Sequence, residues 1–318
     1  MRGLIICGSR NIFTVRCEED GKAGTLSEML ECRIKGKVLK EAEGFYNPLA
    51  PGDWVTVEAD SGHVGTGLIT ALEKRNNQYR RFNQKGGSPQ LLAANVDLVL
   101  CVTSPAAPPF RPRFLDRAVL QADAEGIPPL IVCNKSDLGF DDIDVEERLE
   151  DFVRTGCQVI RVSAKTGEGL EELRSLVAGK CSVLAGQSGV GKSSLVNALF
   201  PRFSIKTGAI NVKYDRGNHT TAMSLMAEVT VDGRLTRIID TPGIRRFVPA
   251  GITPDDLILY MREFALLAGK CAYGFSCSHR IEPGCKIMEA VHAGVIHEDR
   301  YNSFVRIADE LAGKRYVD

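Results

Sequence analysis

The residues best suited to chemistry form one glycine-rich run: Gly186, Gln187, Ser188, Gly189, Val190, Gly191, Lys192, Ser193 and Ser194. The run follows an apolar stretch typical of a buried strand and precedes a helical pattern, which is the context that a phosphate-binding loop requires. In such a loop, backbone N–H groups close around phosphates at a helix N-terminus. We expect Lys192 to contact the β and γ phosphates of a nucleotide and the Ser193 hydroxyl to bind Mg²⁺.

Two further motifs bear on which base is bound. They are Asn134, Lys135, Ser136 and Asp137 after one apolar run, and Ser163, Ala164 and Lys165 after another. The carboxylate of Asp137 can accept two N–H donors from the guanine edge, which adenine does not offer. The first motif alone also suits a surface turn, but the two motifs together predict a guanine pocket.

Two segments downstream of the phosphate loop have the residue types that surround Mg²⁺ and a γ-phosphate. Asp240-Thr241-Pro242-Gly243 ends a predicted strand, where Asp240 suits a role beside Mg²⁺ and the Gly243 amide can sense the γ-phosphate. Upstream, a loop from Gly217 offers Thr220 or Thr221 to complete the Mg²⁺ coordination once GTP orders it. An ordinary polar loop is the alternative interpretation of that segment.

The order of the motifs is unusual, because both guanine motifs precede the phosphate loop. A circular permutation keeps one site intact when the old chain ends lie close together and are joined. After this permutation, the γ-phosphate-sensing segment leads directly into the C-terminal part of the chain.

The residue that would orient the attacking water is harder to identify. Many GTPases use a glutamine just after the glycine at the position of Gly243, but here that place holds Ile244, whose side chain cannot hydrogen-bond water. His219, beside the presumed Mg²⁺ threonines, is one catalytic candidate, and a group supplied by a partner is the other.

A second candidate site comprises four soft ligands within fifteen residues: Cys271, Cys277, His279 and Cys285. Three cysteines and one histidine suit a closed tetrahedral structural Zn²⁺ site with no position left for water. A redox role is disfavoured because the cluster has no Cys-x-x-Cys. Another thiophilic metal remains open on the sequence alone.

The apolar pattern divides the chain into parts that can position these sites. Residues 1–73 show short apolar runs between turn residues, which predict a small β-barrel; Gly52-Asp53-Trp54-Val55 favours a five-stranded nucleic-acid-binding barrel, although other small barrels fit the spacing. Residues 96–249 alternate buried strands with helices and include a hairpin at Asp232-Gly233, so we expect a mixed-sheet α/β domain. Residues 250–318 are mainly helical around the Cys/His cluster.

Residues 74–95 are predicted to be a basic linker. From Lys74 to Lys85 the chain has five basic residues, two aromatic residues and no acid, which suits either an RNA grip or a solvated linker. The formal net charge of the whole chain is zero, so any contact with RNA must come from local basic patches. The absence of an eighteen-residue apolar run predicts a cytoplasmic protein without a membrane segment, and we expect a monomer.

These features together resemble the ribosome small subunit-dependent GTPase A family over essentially the whole chain. The resemblance implies an OB-fold barrel, a circularly permuted GTPase domain and a zinc domain. It also implies late maturation of the small ribosomal subunit, contact with 16S rRNA, and GTP hydrolysis to GDP stimulated by the subunit. The family's proposed catalytic histidine falls on His219. Departures from the family pattern, including Asn218 in place of a basic residue, bear on RNA affinity more than on GTP chemistry.

Two rival functions stay open at this point. One is a GTP-switched RNA-binding module with little hydrolysis, which turnover measurements with and without small subunits would separate. The other is a P-loop ATPase or kinase in which Asn134-Lys135-Ser136-Asp137 is incidental, which nucleotide selectivity would separate.

Overall fold

The computed structural model describes residues 1–9, 11–18, 26–36, 44–140, 143–201 and 224–313. The N-terminal part contains five strands: β1 (Arg2–Ser9), β2 (Ile12–Glu18), β3 (Leu26–Ile34), β4 (Trp54–Ala59) and β5 (Thr66–Leu72). They pair in the order β1-β2-β3-β5-β4, and β4 pairs with β1 to close the ring. The predicted five-stranded OB-fold barrel is therefore confirmed.

The alternating sequence of the barrel strands explains their burial. Along β2, every second side chain faces a core in which Phe13, Val15 and Cys17 are almost fully buried. Gly52 precedes β4 with φ of +96°, and a Cβ there would lie 2.0 Å from the Ala94 carbonyl oxygen. The Gly52-Asp53 turn is thus fixed both by backbone conformation and by a close approach of two chain segments.

The segment predicted as a basic linker is instead a β-hairpin of β6 (Gln78–Asn83) and β7 (Ser88–Ala94). Tyr79 is fully buried and donates its hydroxyl to the Ala118 carbonyl at 3.1 Å. The hairpin folds because it has apolar residues to bury against the α/β domain, including Leu92 and Ala93. The hairpin was not evident from the sequence, because basic residues make up much of the segment and obscure its apolar positions.

The central part is an α/β domain. Its strands are β8 (Leu98–Thr103), β9 (Pro129–Asn134), β10 (Gln158–Val162), β11 (Cys181–Gly186), β12 (Leu225–Val231) and β13 (Arg234–Asp240). They lie in the order β10-β9-β8-β11-β13-β12, and only β12 of these is antiparallel to its neighbour β13. The sheet is mixed, as the Asp232-Gly233 hairpin predicted.

Four helices cover the two faces of this sheet. They are α1 (Pro112–Ala124), α2 (Ile143–Arg154), α3 (Leu170–Val177) and α4 (Lys192–Leu199). Helices α1 and α2 pack on one face, and α3 and α4 pack on the other. The strands are buried on both faces, which accounts for their nearly continuous apolar sequences.

The C-terminal part is helical, with α5 (Leu257–Tyr260), α6 (Arg262–Ala265), α7 (Lys286–His292) and α8 (Glu298–Leu311). Its core includes the stacked rings of Phe264 and Phe304, whose centroids are 4.9 Å apart. Leu120 of α1 belongs to the same cluster, so this part packs directly on the α/β domain. No helix in the described ranges is long and apolar enough to span a bilayer.

A buried charge network joins α8 to the α/β domain. The Asp116 carboxylate on α1 has no exposed surface; it accepts from Arg300 of α8 at 2.6 Å and from Arg148 of α2 at 3.2 Å. Glu263 accepts from the same Arg300 at 2.6 Å. Because burying charges is costly unless they are paired, each member depends on the others.

We expect Asp116→Asn to lower the free energy of unfolding by about 3 kcal/mol, because the substitution leaves two buried guanidinium groups with less negative charge to pair with. Urea unfolding of both proteins measures this loss. Asp255→Asn, at an exposed position, is the matched control and should change little. Equal stability of Asp116→Asn and the wild type would contradict this account.

Candidate nucleotide site and metal centre

The carboxyl ends of the parallel strands bring the predicted nucleotide motifs together at one edge of the sheet. The guanine motifs follow β9 and β10, the phosphate loop follows β11, and Asp240 ends β13. Ligands of α/β sheets bind at this edge. Motifs that lie up to about a hundred residues apart in sequence are therefore neighbours in space.

The Asp137 carboxylate is held on both oxygens by residues of the second guanine motif. The Ser163 hydroxyl donates to Oδ1 at 2.6 Å, and the Lys165 Nζ lies 3.6 Å from Oδ2. The hydrogen bond from Ser163 and the nearby charge of Lys165 lower the pKa of Asp137. The carboxylate is thus ionised at neutral pH and able to accept two hydrogen bonds.

Asn134 and Lys135 connect the guanine motifs to the phosphate loop. The Asn134 amide donates to the Val190 carbonyl at 2.9 Å and accepts from the Ala164 N–H at 3.1 Å. Lys135 Nζ donates to the carbonyls of Gly189, at 2.7 Å, and Ala107. The first guanine motif therefore contacts three loops besides its own: the phosphate loop and the loops that follow β8 and β10.

A cavity of about 500 Å³ lies among these motifs. Its lining includes Asp137, Lys165, Gly191 and Ser194, together with Ala107. Sequence reasoning missed Ala107, which has no motif of its own. The only available signal was its place just after β8, at the same edge of the sheet.

The phosphate loop turns into α4 through two glycines in the left-handed region, Gly189 (φ +86°) and Gly191 (φ +91°). Lys192 Nζ lies inside the loop and donates to the Gly186 carbonyl at 2.9 Å. Burial lowers the pKa of Lys192, although the nearby Asp240 carboxylate opposes this effect. The loop holds a cation where it can meet phosphate oxygens.

Ser193 and Asp240 form a pair suited to a divalent cation. The Ser193 hydroxyl donates to Asp240 Oδ2 at 3.0 Å. The other oxygen, Oδ1, is buried and has no hydrogen-bond partner among the described residues. Burial raises the pKa of Asp240, against the effects of Lys192 and Ser193. A hard cation would satisfy such an oxygen, so these groups fit Mg²⁺.

The segment after Asp240 lies against the phosphate loop. A Cβ on Gly243 would lie 2.7 Å from Cα of Ser188, so only glycine fits without a shift. Ile244 donates its N–H to the Gly186 carbonyl at 3.1 Å, and its side chain is buried. The remaining predicted residues of the site, His219, Thr220 and Thr221, lie outside the described residues.

Cys271, Cys277, His279 and Cys285 are all buried, and their ligand atoms lie within 4.8 Å of one another. The Sγ atoms of Cys271 and Cys285 are 3.9 Å apart, and each is 3.5 Å from Nδ1 of His279. Tetrahedral zinc, with Zn–S of about 2.3 Å and Zn–N of about 2.0 Å, requires ~3.8 Å between sulfurs and ~3.5 Å from sulfur to nitrogen. The donor atoms already have the spacing of a zinc site.

The surroundings of the cluster agree with a metal site. Burial raises the pKa of the Cys277 thiol to about 12, so a thiolate there needs a neighbouring positive charge such as a metal ion. Burial lowers the pKa of His279, which keeps its imidazole neutral as a ligand must be. The Lys286 N–H donates to the Cys271 sulfur at 3.3 Å.

A nucleotide site at the carboxyl edge of a sheet, with the guanine motifs before the phosphate loop, defines a circularly permuted GTPase. A family model described as RsgA GTPase matches residues 72–248. The small ribosomal subunit biogenesis GTPase RsgA of Chlorobaculum parvum is 39% identical over 289 residues, covering 89% of this chain and 91% of that protein. The chain belongs to the RsgA GTPase family, and GTP hydrolysis is the activity that this membership implies.

Other relatives extend the likeness to both ends of the chain. The RsgA of Gemmatimonas aurantiaca is 36% identical and covers 98% of each chain. The crystal structure of YjeQ from Thermotoga maritima has a TM-score of 0.69 at 31% identity, with 99% of each chain covered. YloQ, a circularly permuted GTPase, shares the fold with a TM-score of 0.64 at 24% identity, covering 100% of this chain and 96% of that one.

We expect the purified protein to carry one equivalent of zinc and Cys285→Ala to lose it, because three ligands cannot complete a closed tetrahedral site. Elemental analysis by mass spectrometry measures the metal content. Cys157→Ala removes another buried thiol outside the cluster and should keep the zinc. Wild-type protein that neither contains zinc nor takes it up would refute this assignment.

Proposed function

We propose that this protein acts on the small ribosomal subunit late in its maturation, contacts 16S rRNA, and hydrolyses GTP with stimulation by the subunit. The observation that carries this proposal is the likeness, over nearly the whole chain, to relatives named small ribosomal subunit biogenesis GTPases. In this proposal the barrel of residues 1–73, the GTPase region of residues 96–249 and the zinc region of residues 250–318 each contribute a surface for the subunit.

GTP binds in the cavity beside the phosphate loop. Asp137 accepts the two N–H groups of the guanine edge, supported by the orientation that Ser163 gives its carboxylate. Lys165 flanks the base, while the N–H groups of the loop from Gly186 to Ser194 surround the phosphates. Lys192 supplies positive charge to the β and γ phosphates.

Mg²⁺ supplies positive charge that stabilises the transferred phosphoryl group. The Ser193 hydroxyl and the Asp240 carboxylate would hold it, which is supported by the unpartnered Oδ1 of Asp240 within the described residues. Thr220 or Thr221 would complete its ligands. The Gly243 N–H would donate to the γ-phosphate and so distinguish GTP from GDP.

The attacking water is oriented by His219 or by a group of the subunit, because the Ile244 side chain has no polar atom and its N–H is already bonded to Gly186. The apolar side chain of Ile244 also favours a second candidate function, a GTP-switched RNA-binding module with little hydrolysis of its own. Completion of a GTPase site by a partner is worth about 10³ to 10⁵ in rate. Stimulation by the subunit therefore separates the two functions.

Contact with rRNA would use exposed basic side chains such as Lys85 at the hairpin tip and Arg245 after Gly243. The arginines of residues 74–95 are less available, because Arg75 pairs with Asp53 at 2.7 Å and Arg80 donates to Glu125 at 2.5 Å. The basic composition of residues 74–95 is thus a poor guide to the RNA surface.

We expect small ribosomal subunits to stimulate GTP hydrolysis by about a thousandfold or more, as when a partner completes a GTPase site. Phosphate release is measured for the protein alone and with small subunits, with large subunits and ATP as controls. His219→Ala should then lower the stimulated rate. Equal, slow turnover in every mixture would leave a GTPase but remove the ribosome-coupled mechanism.

We expect Asp137→Asn to weaken GDP binding about a hundredfold and to improve binding of xanthosine diphosphate, since an amide can donate to the 2-oxo group of xanthine. Fluorescence competition with both nucleotides measures the change. Asp144→Asn, on the nearby α2, serves as the control and should leave the preference for guanine intact. A P-loop ATPase would instead show unchanged nucleotide selectivity in Asp137→Asn.

A further inference from the structure

Glu168 lies in the loop that follows β10, between two glycines in the left-handed region, Gly167 (φ +89°) and Gly169 (φ +68°). At Gly169 a Cβ would lie 2.3 Å from the Arg161 carbonyl oxygen, so this position requires glycine. The two glycines fold the loop back sharply over the end of β10. Glu168 stands at the apex of that turn.

Both the main chain and the side chain of Glu168 bind residues of the guanine motifs. Its carbonyl accepts from the Ser163 N–H at 3.0 Å. Its carboxylate Oε2 accepts from the Ser136 hydroxyl at 2.7 Å. One residue therefore connects the loop after β9 with the loop after β10.

These contacts close a ring around the base-recognising carboxylate. Ser136 is bonded to Glu168 and is the chain neighbour of Asp137, while Ser163 donates its hydroxyl to Asp137 Oδ1. Lys165 also lies near Asp137, but its side chain is 81% exposed. The ring through Glu168 includes Ser163, which is fully buried, so one of the supports of Asp137 is fixed in the core.

We propose that Glu168 is a positioning residue that sets how strictly the site selects a 2-amino purine, without touching the nucleotide itself. This inference rests on the proposed guanine recognition by Asp137. A carboxylate can accept from both N1–H and the 2-amino group only when its two oxygens are aligned with the edge of the base. Glu168 keeps this alignment by fixing Ser136 relative to Ser163.

The 2-amino group provides a direct test, because hypoxanthine is guanine without it. We expect wild-type protein to bind GDP more tightly than inosine diphosphate. Glu168→Ala should reduce this preference about threefold to tenfold, as suits the loss of one exposed hydrogen bond. Isothermal titration with each nucleotide gives the two dissociation constants. Glu168→Gln keeps an acceptor for Ser136 and should restore most of the preference.

A double-mutant cycle tests whether Glu168 acts through Ser136. Ser136→Ala should reproduce the effect of Glu168→Ala, and the double variant should add little to either, because all three remove the same hydrogen bond. Glu172→Ala removes an exposed acid from the first turn of α3 and serves as the matched control. It should leave the ratio of the two dissociation constants unchanged.

The outcomes separate this inference from the function on which it rests. A wild type that binds adenosine diphosphate as well as GDP would overturn the proposed guanine recognition. A wild-type preference for guanine that survives in Glu168→Ala would overturn only the role of Glu168. Equal weakening of GDP and inosine diphosphate in that variant would also overturn it, since it would indicate general loosening of the loop.

Discussion

The packing of Phe247 is the constraint on which the path of the chain after Gly243 depends. This ring is buried, with its centroid 5.8 Å from that of Tyr79 in the β-hairpin and 6.0 Å from that of Phe114 in α1. On its C-terminal side the Val248 carbonyl accepts from the Phe82 N–H at 2.8 Å. The segment that follows Gly243 is therefore anchored both by an aromatic cluster and by a backbone hydrogen bond to the hairpin.

Helix α8 connects the segment that follows Gly243 with the Cys/His cluster. Its Glu310 accepts from Arg246, three residues after Gly243, at 2.8 Å. The preceding residue, Asp309, accepts at 2.6 Å from Arg280, which is the chain neighbour of the ligand His279. The chain runs from Gly243 through Arg246 directly into this region, so the Arg246–Glu310 ion pair links the segment beside the phosphate loop to α8. The positions of the nucleotide motifs and of the Cys/His cluster are thus linked through contacts on the same helix, α8.

The sequence was most informative where local pattern and chemistry coincide. Asp137 and Ser163 were predicted together because each follows an apolar strand, and parallel strands end at one edge of a sheet. The hairpin of residues 74–95 was not predicted, because it is stabilised by partners far along the chain, such as Ala118 for Tyr79. Glu168 was not predicted for the related reason that its role depends on a contact between two loops. Pairings of this kind leave no periodic signal in either segment.

Ile244 shows how packing and catalysis compete at one position. Its side chain belongs to the hydrophobic cluster between the sheet and α1, and its N–H is bonded to the Gly186 carbonyl of the phosphate loop. A glutamine here would either bury its amide, which is unfavourable without hydrogen bonds, or turn outward and give up the packing. Isoleucine instead fixes the backbone next to Gly243. The position therefore keeps Gly243 against the phosphate loop and offers no side-chain atom that can hydrogen-bond water. In the proposed function, a group from elsewhere in the chain or from the subunit makes that contact.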